Sequence, residues 1–280
     1  MINLGLYLLE AYLTLSVLGI VVLNNNVVLL WRKQDYEIPF NATMKSDKKI
    51  GAYWIARNAE PNGKTAILLH GWSENSSQMV SRAIPYWNLG YDLYFLDGPG
   101  HGKSGFAFFP NGVVYSERLL QLIKKERIEK PVVHGLSFGA TAAAILATRH
   151  PDIIDTLVLE SAPAQLTGVF ADFLRFAGIP PIFFFLTIGI SELIFRLRYL
   201  GEFPQKYDLT NLKPNTFILH GEKDTMFTVE RHFQKIQAQE KKNDTRILEL
   251  WLVDNRGHSD ISSHPEFEKR ITMFLTMLNT

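Results

Sequence analysis

The sequence predicts an α/β domain: a mostly parallel central sheet with helices on both faces, a helical cap insertion, and a hydrophobic N-terminal helix. Three observations predict it. From residue 50 onward, short runs rich in Val, Ile and Leu alternate with helical stretches, which is how a parallel sheet covered on both faces reads. Before that, residues 1–31 carry a single charged side chain, Glu10. Late in the chain, residues 176–190 (FAGIPPIFFFLTIGI) carry no charge and interrupt the alternation.

The 280 residues hold 29 Lys+Arg, 28 Asp+Glu and no Cys, for a net charge of +1. With 46% hydrophobic and 20% charged residues, the chain has enough apolar side chains for a full core. The near-neutral balance gives no electrostatic case for nucleic-acid binding. The missing cysteines exclude disulfides, thiolate metal sites and a thiol nucleophile.

The uncharged run 11–31, as a helix, would span roughly 30 Å, the thickness of a bilayer's hydrocarbon core. Residues 1–33 are therefore expected to form a membrane-anchor helix, with Asn24, Asn25 and Asn26 at the interface. Arg32, Lys33, Lys45, Lys48 and Lys49 follow the span and nothing basic but the α-amino group precedes it. That bias expects the main domain, residues 34–280, on the cytoplasmic side.

Within that domain, strands are expected at 50–57 and 65–69, joined by a turn through Pro61, Asn62 and Gly63. Further strands are expected at 91–96, 131–133, 154–159, 216–219 and 247–253. Helices are expected at 77–88, 113–127, 138–150, 229–239 and 265–278. About fifty residues separate the strands ending near 160 and starting near 216, far more than an ordinary connection. This stretch, about 163–213, is expected to be a helical cap, with Pro180 and Pro181 breaking any helix inside it.

Gly135-Leu136-Ser137-Phe138-Gly139 stands directly after a strand and directly before an Ala-rich helix. A serine on so tight a turn projects its oxygen above the sheet, which makes Ser137 a candidate nucleophile. A hydroxyl needs a base, and the base an orienting carboxylate. His258, on the loop between the last strand and the last helix, is the candidate base. His264 on the same loop reads as a neighbour of the helix start. His70 and His220 read as strand-end residues, and His232 as a solvated side chain on a surface helix. Asp224, after the strand 216–219, is the candidate acid. Glu222 is the runner-up, with Asp254 and Asp260 as local alternatives. For an oxyanion, the backbone N–H of Phe138 and that of Trp72, in His70-Gly71-Trp72, are the candidate donors.

The chain resembles the α/β-hydrolase superfamily through four ordered blocks between residues 50 and 278: His70-Gly71-Trp72, the run Asp97-Gly98-Pro99-Gly100-His101-Gly102-Lys103-Ser104, the Gly135 to Gly139 turn, and Asp224 with His258. Among members it resembles monoacylglycerol-lipase-like and related small membrane-anchored serine hydrolases with a cap. The resemblance implies a triad of Ser137, His258 and Asp224, ester substrates and no cofactor. Leu136 departs from the histidine frequent at its position.

The same reading leaves two alternatives. One is a serine peptidase or amidase, for which Asp172, Glu192 and Glu202 could recognise an amine. The other is a membrane-tethered binding protein without turnover. The run from Asp97 to Ser104 superficially resembles a phosphate loop, but Asp97 replaces its first glycine and no helix pattern follows Ser104. No spacing suits a metal. Phe183, Phe184 and Leu186 in the cap are expected to line an acyl pocket or face lipid, so a small ester, lipid-like or medium-chain, is the expected partner, beside the membrane itself.

Overall fold

The computed structural model describes Tyr12 and residues 35–107, 110–166, 168–176, 178, 185, 189, 193, 207, 209–241 and 246–278. The expected anchor over 1–33 lies outside these, Tyr12 excepted, and so does most of the cap. Among the described residues, no helix is long and apolar enough to cross a membrane.

An eight-stranded sheet organises the domain. Its strands are β1 (Thr43–Asp47), β2 (Gly51–Ala56), β3 (Thr65–Leu69), β4 (Asp92–Leu96), β5 (Val132–Leu136), β6 (Thr156–Glu160), β7 (Asn215–Gly221) and β8 (Ile247–Val253), in spatial order β1-β2-β4-β3-β5-β6-β7-β8. The pairs from β4 through β8 are all parallel, while β2 runs antiparallel to both β1 and β4. The 61–63 turn therefore joins two strands that are not sheet neighbours, because β4 lies between them. The edge strand β1 escaped the sequence reading. Its sequence, TMKSD, is largely polar and exposed and carries no apolar alternation.

The helices are α1 (Val80–Asn88), α2 (Gly112–Lys125), α3 (Phe138–Arg149), α4 (Val169–Phe176), α5 (Phe233–Glu240) and α6 (Phe267–Met277). Side chains alternate across the strands. Ile67, Leu69, Tyr94, Leu96, Val133, Leu157 and Leu159 pack in one core with residues of α2, α3 and α5. Ala66, Leu68, Leu93, Phe95, Val158, Phe217 and Leu219 pack in a second core with residues of α1 and α6. Burial on both faces is why these strands read as unbroken apolar runs. Asn111 caps α2, its Oδ1 accepting from the N–H groups of Val113 (3.0 Å) and Val114 (3.1 Å).

The chain order turns at β3. From there the connection first runs outward to β4, then returns across to β5 on the other side. A parallel sheet opens a crevice at such a reversal, outside the carboxyl ends of the strands. The His70-Gly71-Trp72 block leaves β3 at that end and Ser137 leaves β5 beside it. Helix α3 packs so tightly there that a Cβ on Gly139 would collide with the backbone carbonyl of Leu69.

Two glycine substitutions are expected to separate packing from backbone strain. Gly63→Ala meets open space but sits at φ +79°, and should cost about 1–2 kcal/mol. Gly139→Ala must displace a β3 carbonyl and should cost roughly 2–4 kcal/mol or block folding. Urea unfolding of both variants measures the difference; equal costs would contradict the packing described.

Candidate active site

Ser137 joins β5 to α3 with φ 51° and ψ −102°, a backbone that residues with a Cβ avoid. The surroundings hold it there. Its N–H donates to the Glu160 carbonyl at 2.8 Å, and its own carbonyl accepts from the N–H (2.8 Å) and hydroxyl (3.0 Å) of Thr141. A Cβ on Gly135 would strike the backbone of Gly139 and Ala140, so the turn closes only with glycine at that position.

Two loops from the far side of the sheet converge on this serine. At Gly221 the β7 loop lies so close to the β8 loop that a Cβ would meet the Gly257 and Arg256 carbonyls. Lys223 N–H donates to Arg256 O at 2.7 Å and Glu222 N–H to Val253 O at 2.9 Å. This contact sets Asp224 opposite His258. The Asp224 Oδ2 lies 2.8 Å from His258 Nδ1, and His258 Nε2 lies 2.9 Å from Ser137 Oγ. An ionised carboxylate only accepts, so Nδ1 carries the proton and Nε2 presents its lone pair to the serine hydroxyl.

The second Asp224 oxygen is occupied as well, accepting from the N–H groups of Met226 (2.9 Å) and Phe227 (2.8 Å). Burial alone would push this carboxyl up. The hydrogen bond and charge of His258, with His220 and the Phe227 N–H, more than offset that and hold it below the usual carboxylate range. The Phe227 ring stands edge-on to His258, 5.1 Å between centroids, and limits its tilt. Residue 220 supports the same loop, with His220 Nε2 2.6 Å from the Phe227 carbonyl.

The other carboxylates weighed for the acid are turned elsewhere. Glu222 Oε2 accepts from the Asn255 N–H at 3.0 Å, Asp254 pairs with His264 at 3.2 Å, and Asp260 Oδ1 accepts from the Gly257 N–H at 2.6 Å.

The Trp72 indole packs nearly perpendicular to Phe138, 5.0 Å between centroids, and to His101 at 5.1 Å. Phe138 is the first residue of α3, so its N–H has no acceptor within the helix. Two neutral histidines tie the Trp72 loop to the 97–104 loop. His70 Nδ1 donates to Gly71 O at 2.7 Å and its Nε2 accepts from Gly98 N–H at 2.8 Å. His101 Nδ1 donates to Pro99 O at 2.8 Å and its Nε2 accepts from Ser73 N–H at 3.0 Å.

The run that resembled a phosphate loop is a buried structural hub. Asp97 accepts at Oδ1 from the N–H (2.9 Å) and hydroxyl (2.7 Å) of Ser76, and at Oδ2 from the Lys103 N–H (2.7 Å) and the Tyr36 hydroxyl. Ser104 Oγ donates to Asp97 O at 2.8 Å and accepts from Ala52 N–H at 2.9 Å.

His232 is not the solvated side chain its sequence position suggested. It is 1% exposed, accepting at Nδ1 from Ala164 N–H (3.1 Å) and facing Asp172 Oδ2 with Nε2 (3.2 Å). The periodicity around 229–239 hid this, because α5 starts only at Phe233 and His232 stands outside the helix. Asp172 in turn also pairs with Arg175 and Arg231, each at 2.9 Å. The cap residues Phe183, Phe184 and Leu186, and the amine-site candidates Glu192 and Glu202, lie outside the described residues. Among the described residues, no group of three or more His, Asp or Glu side chains is placed to hold a metal ion.

Residues 65–181 match the family described as the alpha/beta hydrolase fold. An esterase of Pyrococcus furiosus superposes with TM-score 0.65 at 22% identity, covering 88% of this chain and 96% of that one. The chain has the α/β-hydrolase fold. A bacterial membrane phospholipase A shares the hydrolase fold with TM-score 0.61 at 19% identity, over 100% of this chain and 99% of that one. A pimeloyl-[acyl-carrier protein] methyl ester esterase of Neisseria meningitidis is 32% identical over 106 residues, 38% of this chain and 39% of that protein. The matched stretches span only 36%, 31% and 39% of the lengths of the first curated relatives.

The paired loops carry a pH signature. Burial pushes His70 down to about 4, and burial with His70 alongside pushes His101 down to about 3, from an ordinary value of 6.5. Below pH 6.5 the unfolded chain takes up protons that the folded one refuses. Stability should therefore fall as pH drops from 6.5 toward 4, by up to about 1.4 kcal/mol per pH unit for each histidine. Urea midpoints across this window measure the slope. His70→Asn and His101→Asn should each flatten it, and an unchanged slope in both would contradict the neutral assignment.

Proposed function

We propose that this α/β hydrolase is a serine esterase that works through an acyl-enzyme. The observation that carries the reading is the continuous relay from Ser137 Oγ through His258 to Asp224, at 2.9 and 2.8 Å, starting from a serine held at positive φ. His258 Nε2 takes the hydroxyl proton while Ser137 Oγ attacks the carbonyl carbon. The N–H groups of Phe138 and Trp72 hold the oxygen that gains the charge. His258 then gives its proton to the departing alkoxide. Water, deprotonated by the same imidazole, releases the acid and restores the serine. Asp224 keeps Nδ1 protonated and stabilises the imidazolium through both transfers.

Carboxylic esters with medium or lipid-like acyl chains fit best. The esterase and phospholipase neighbours support the ester. The uncharged Phe-rich cap sequence, with Phe176 and Phe185 exposed at 51% and 59%, supports the apolar chain. The residue-1–33 anchor would hold the domain against the membrane where such esters lie, with the domain on its cytoplasmic side. The peptidase reading loses support because Asp172, one of its amine-binding candidates, is already engaged by Arg175, Arg231 and His232.

A fluorophosphonate probe should label the wild-type protein and leave Ser137→Ala unlabelled; a folded wild type that stays unlabelled defeats the proposal. Asp224→Asn should retain substrate binding and lose roughly 10⁴-fold in kcat. With p-nitrophenyl esters from acetate to decanoate, kcat/KM should rise with chain length. A flat profile rejects the apolar acyl preference while leaving the ester chemistry standing.

A further inference from the structure

Behind the relay lies a wholly buried arginine that the chemistry does not use. Arg82, in the first turn of α1, is 2% exposed. Its guanidinium reaches three different segments. The Nε donates to Glu160 Oε2 at 2.6 Å, Nη1 to the Gln78 carbonyl at 3.0 Å, and Nη2 to the Ser259 carbonyl at 2.9 Å.

Each of these contacts leads one step further to a part of the site. Glu160, 0% exposed at the end of β6, gives its backbone carbonyl to the Ser137 N–H at 2.8 Å. Ser259 is the neighbour of His258, and Ser161, next to Glu160, donates its hydroxyl to the His258 carbonyl at 2.9 Å. Gln78 Oε1 accepts from the Gly71 N–H at 2.8 Å, immediately before Trp72. One planar group thus touches the supports of the nucleophile, of the base and of the oxyanion loop.

Burying an ion pair is costly, and apolar residues of the same volume would often stabilise a fold as well. The pair brings something they cannot: a rigid fork that fixes three directions at once. Lysine could answer Glu160 but could not reach the Gln78 and Ser259 carbonyls together.

We propose that Arg82, seated on Glu160, is the positioning residue that sets Ser137, His258 and the Trp72 loop in register with one another. It touches no reacting atom. This rests on the serine-esterase reading above. A displacement of about 1 Å at the relay is enough to lose on the order of 10²-fold in rate.

The test uses the full chain with a p-nitrophenyl ester, together with thermal unfolding. Arg82→Lys should lower kcat by about 10²-fold with KM nearly unchanged. The double variant Arg82→Met with Glu160→Met separates positioning from stability. It removes both charges and should regain much of any lost stability while kcat stays low. If Arg82→Lys fails to fold, Gln78→Met keeps the ion pair and cuts only the link to Gly71. It should still lower kcat several-fold.

Folded Arg82 variants with wild-type kcat would overturn the proposal. So would a Gln78→Met variant that loses nothing. A wild type that neither labels with fluorophosphonate nor hydrolyses the ester defeats the esterase reading itself, and this inference with it. Wild-type labelling beside fully active Arg82 variants defeats this inference alone.

Discussion

The left-handed backbone at Ser137 is the constraint around which the site is arranged. A residue with a Cβ stays at φ 51° only where its neighbours leave no alternative. Here the neighbours are glycines 135 and 139, which let α3 fold back against β5 and β3 without a collision. The strain is offset by hydrogen bonds at both ends of the residue, to Glu160 on one side and from Thr141 on the other. The hydroxyl is thereby lifted out of the sheet to where a parallel sheet opens its crevice, between the ends of β3 and β5.

Two buried carboxylates near the crevice, Asp97 and Asp224, are satisfied from several directions, and a third, Glu160, is tied to Arg82 through one oxygen while its other oxygen lies 3.6 Å from His134 Nε2. Asp97 accepts from Tyr36, Ser76 and Lys103, Asp224 from two backbone N–H groups beside His258, and Glu160 from Arg82. Partly satisfied networks of this kind would be expensive in an apolar interior, whereas satisfied ones stiffen it. Stiffness is what the proposed chemistry needs, since its catalytic power would lie in donors and bases aligned before the substrate arrives. The same logic keeps His70 and His101 neutral: each gives one ring nitrogen as a donor and the other as an acceptor, a division of roles that protonation would break.

Much of this was legible in the amino acids because local chemistry coincides with the fold there. The strand cores are Val, Ile and Leu runs buried on both faces, and Gly-x-Ser-x-Gly between a strand and an Ala-rich helix allows few other geometries. Choosing Asp224 over Glu222, Asp254 and Asp260 rested on chain order and loop placement. In the structure Asp224 lies beside His258, whereas Glu222 accepts from a main-chain N–H of the neighbouring β8 loop, and Asp254 and Asp260 are engaged within their own loop. Illegible were the features made by distant segments meeting. The β1 strand has no apolar alternation, His232 is buried only because Ala164 and Asp172 arrive from the insertion, and Arg82 looks like any helix cation until Glu160 and Ser259 stand beside it. Periodicity records which face of an element is buried, and it is silent on which partner a polar side chain will find.

The claim at the centre is that a covalent bond forms at one oxygen. Mass spectrometry of the protein quenched during turnover of a slowly released p-nitrophenyl ester addresses it directly. The account predicts one added acyl mass, mapped by peptide digestion to Ser137, and lost on further incubation as the free carboxylic acid appears. Turnover with no adduct, or an adduct mapped to another residue, would contradict it.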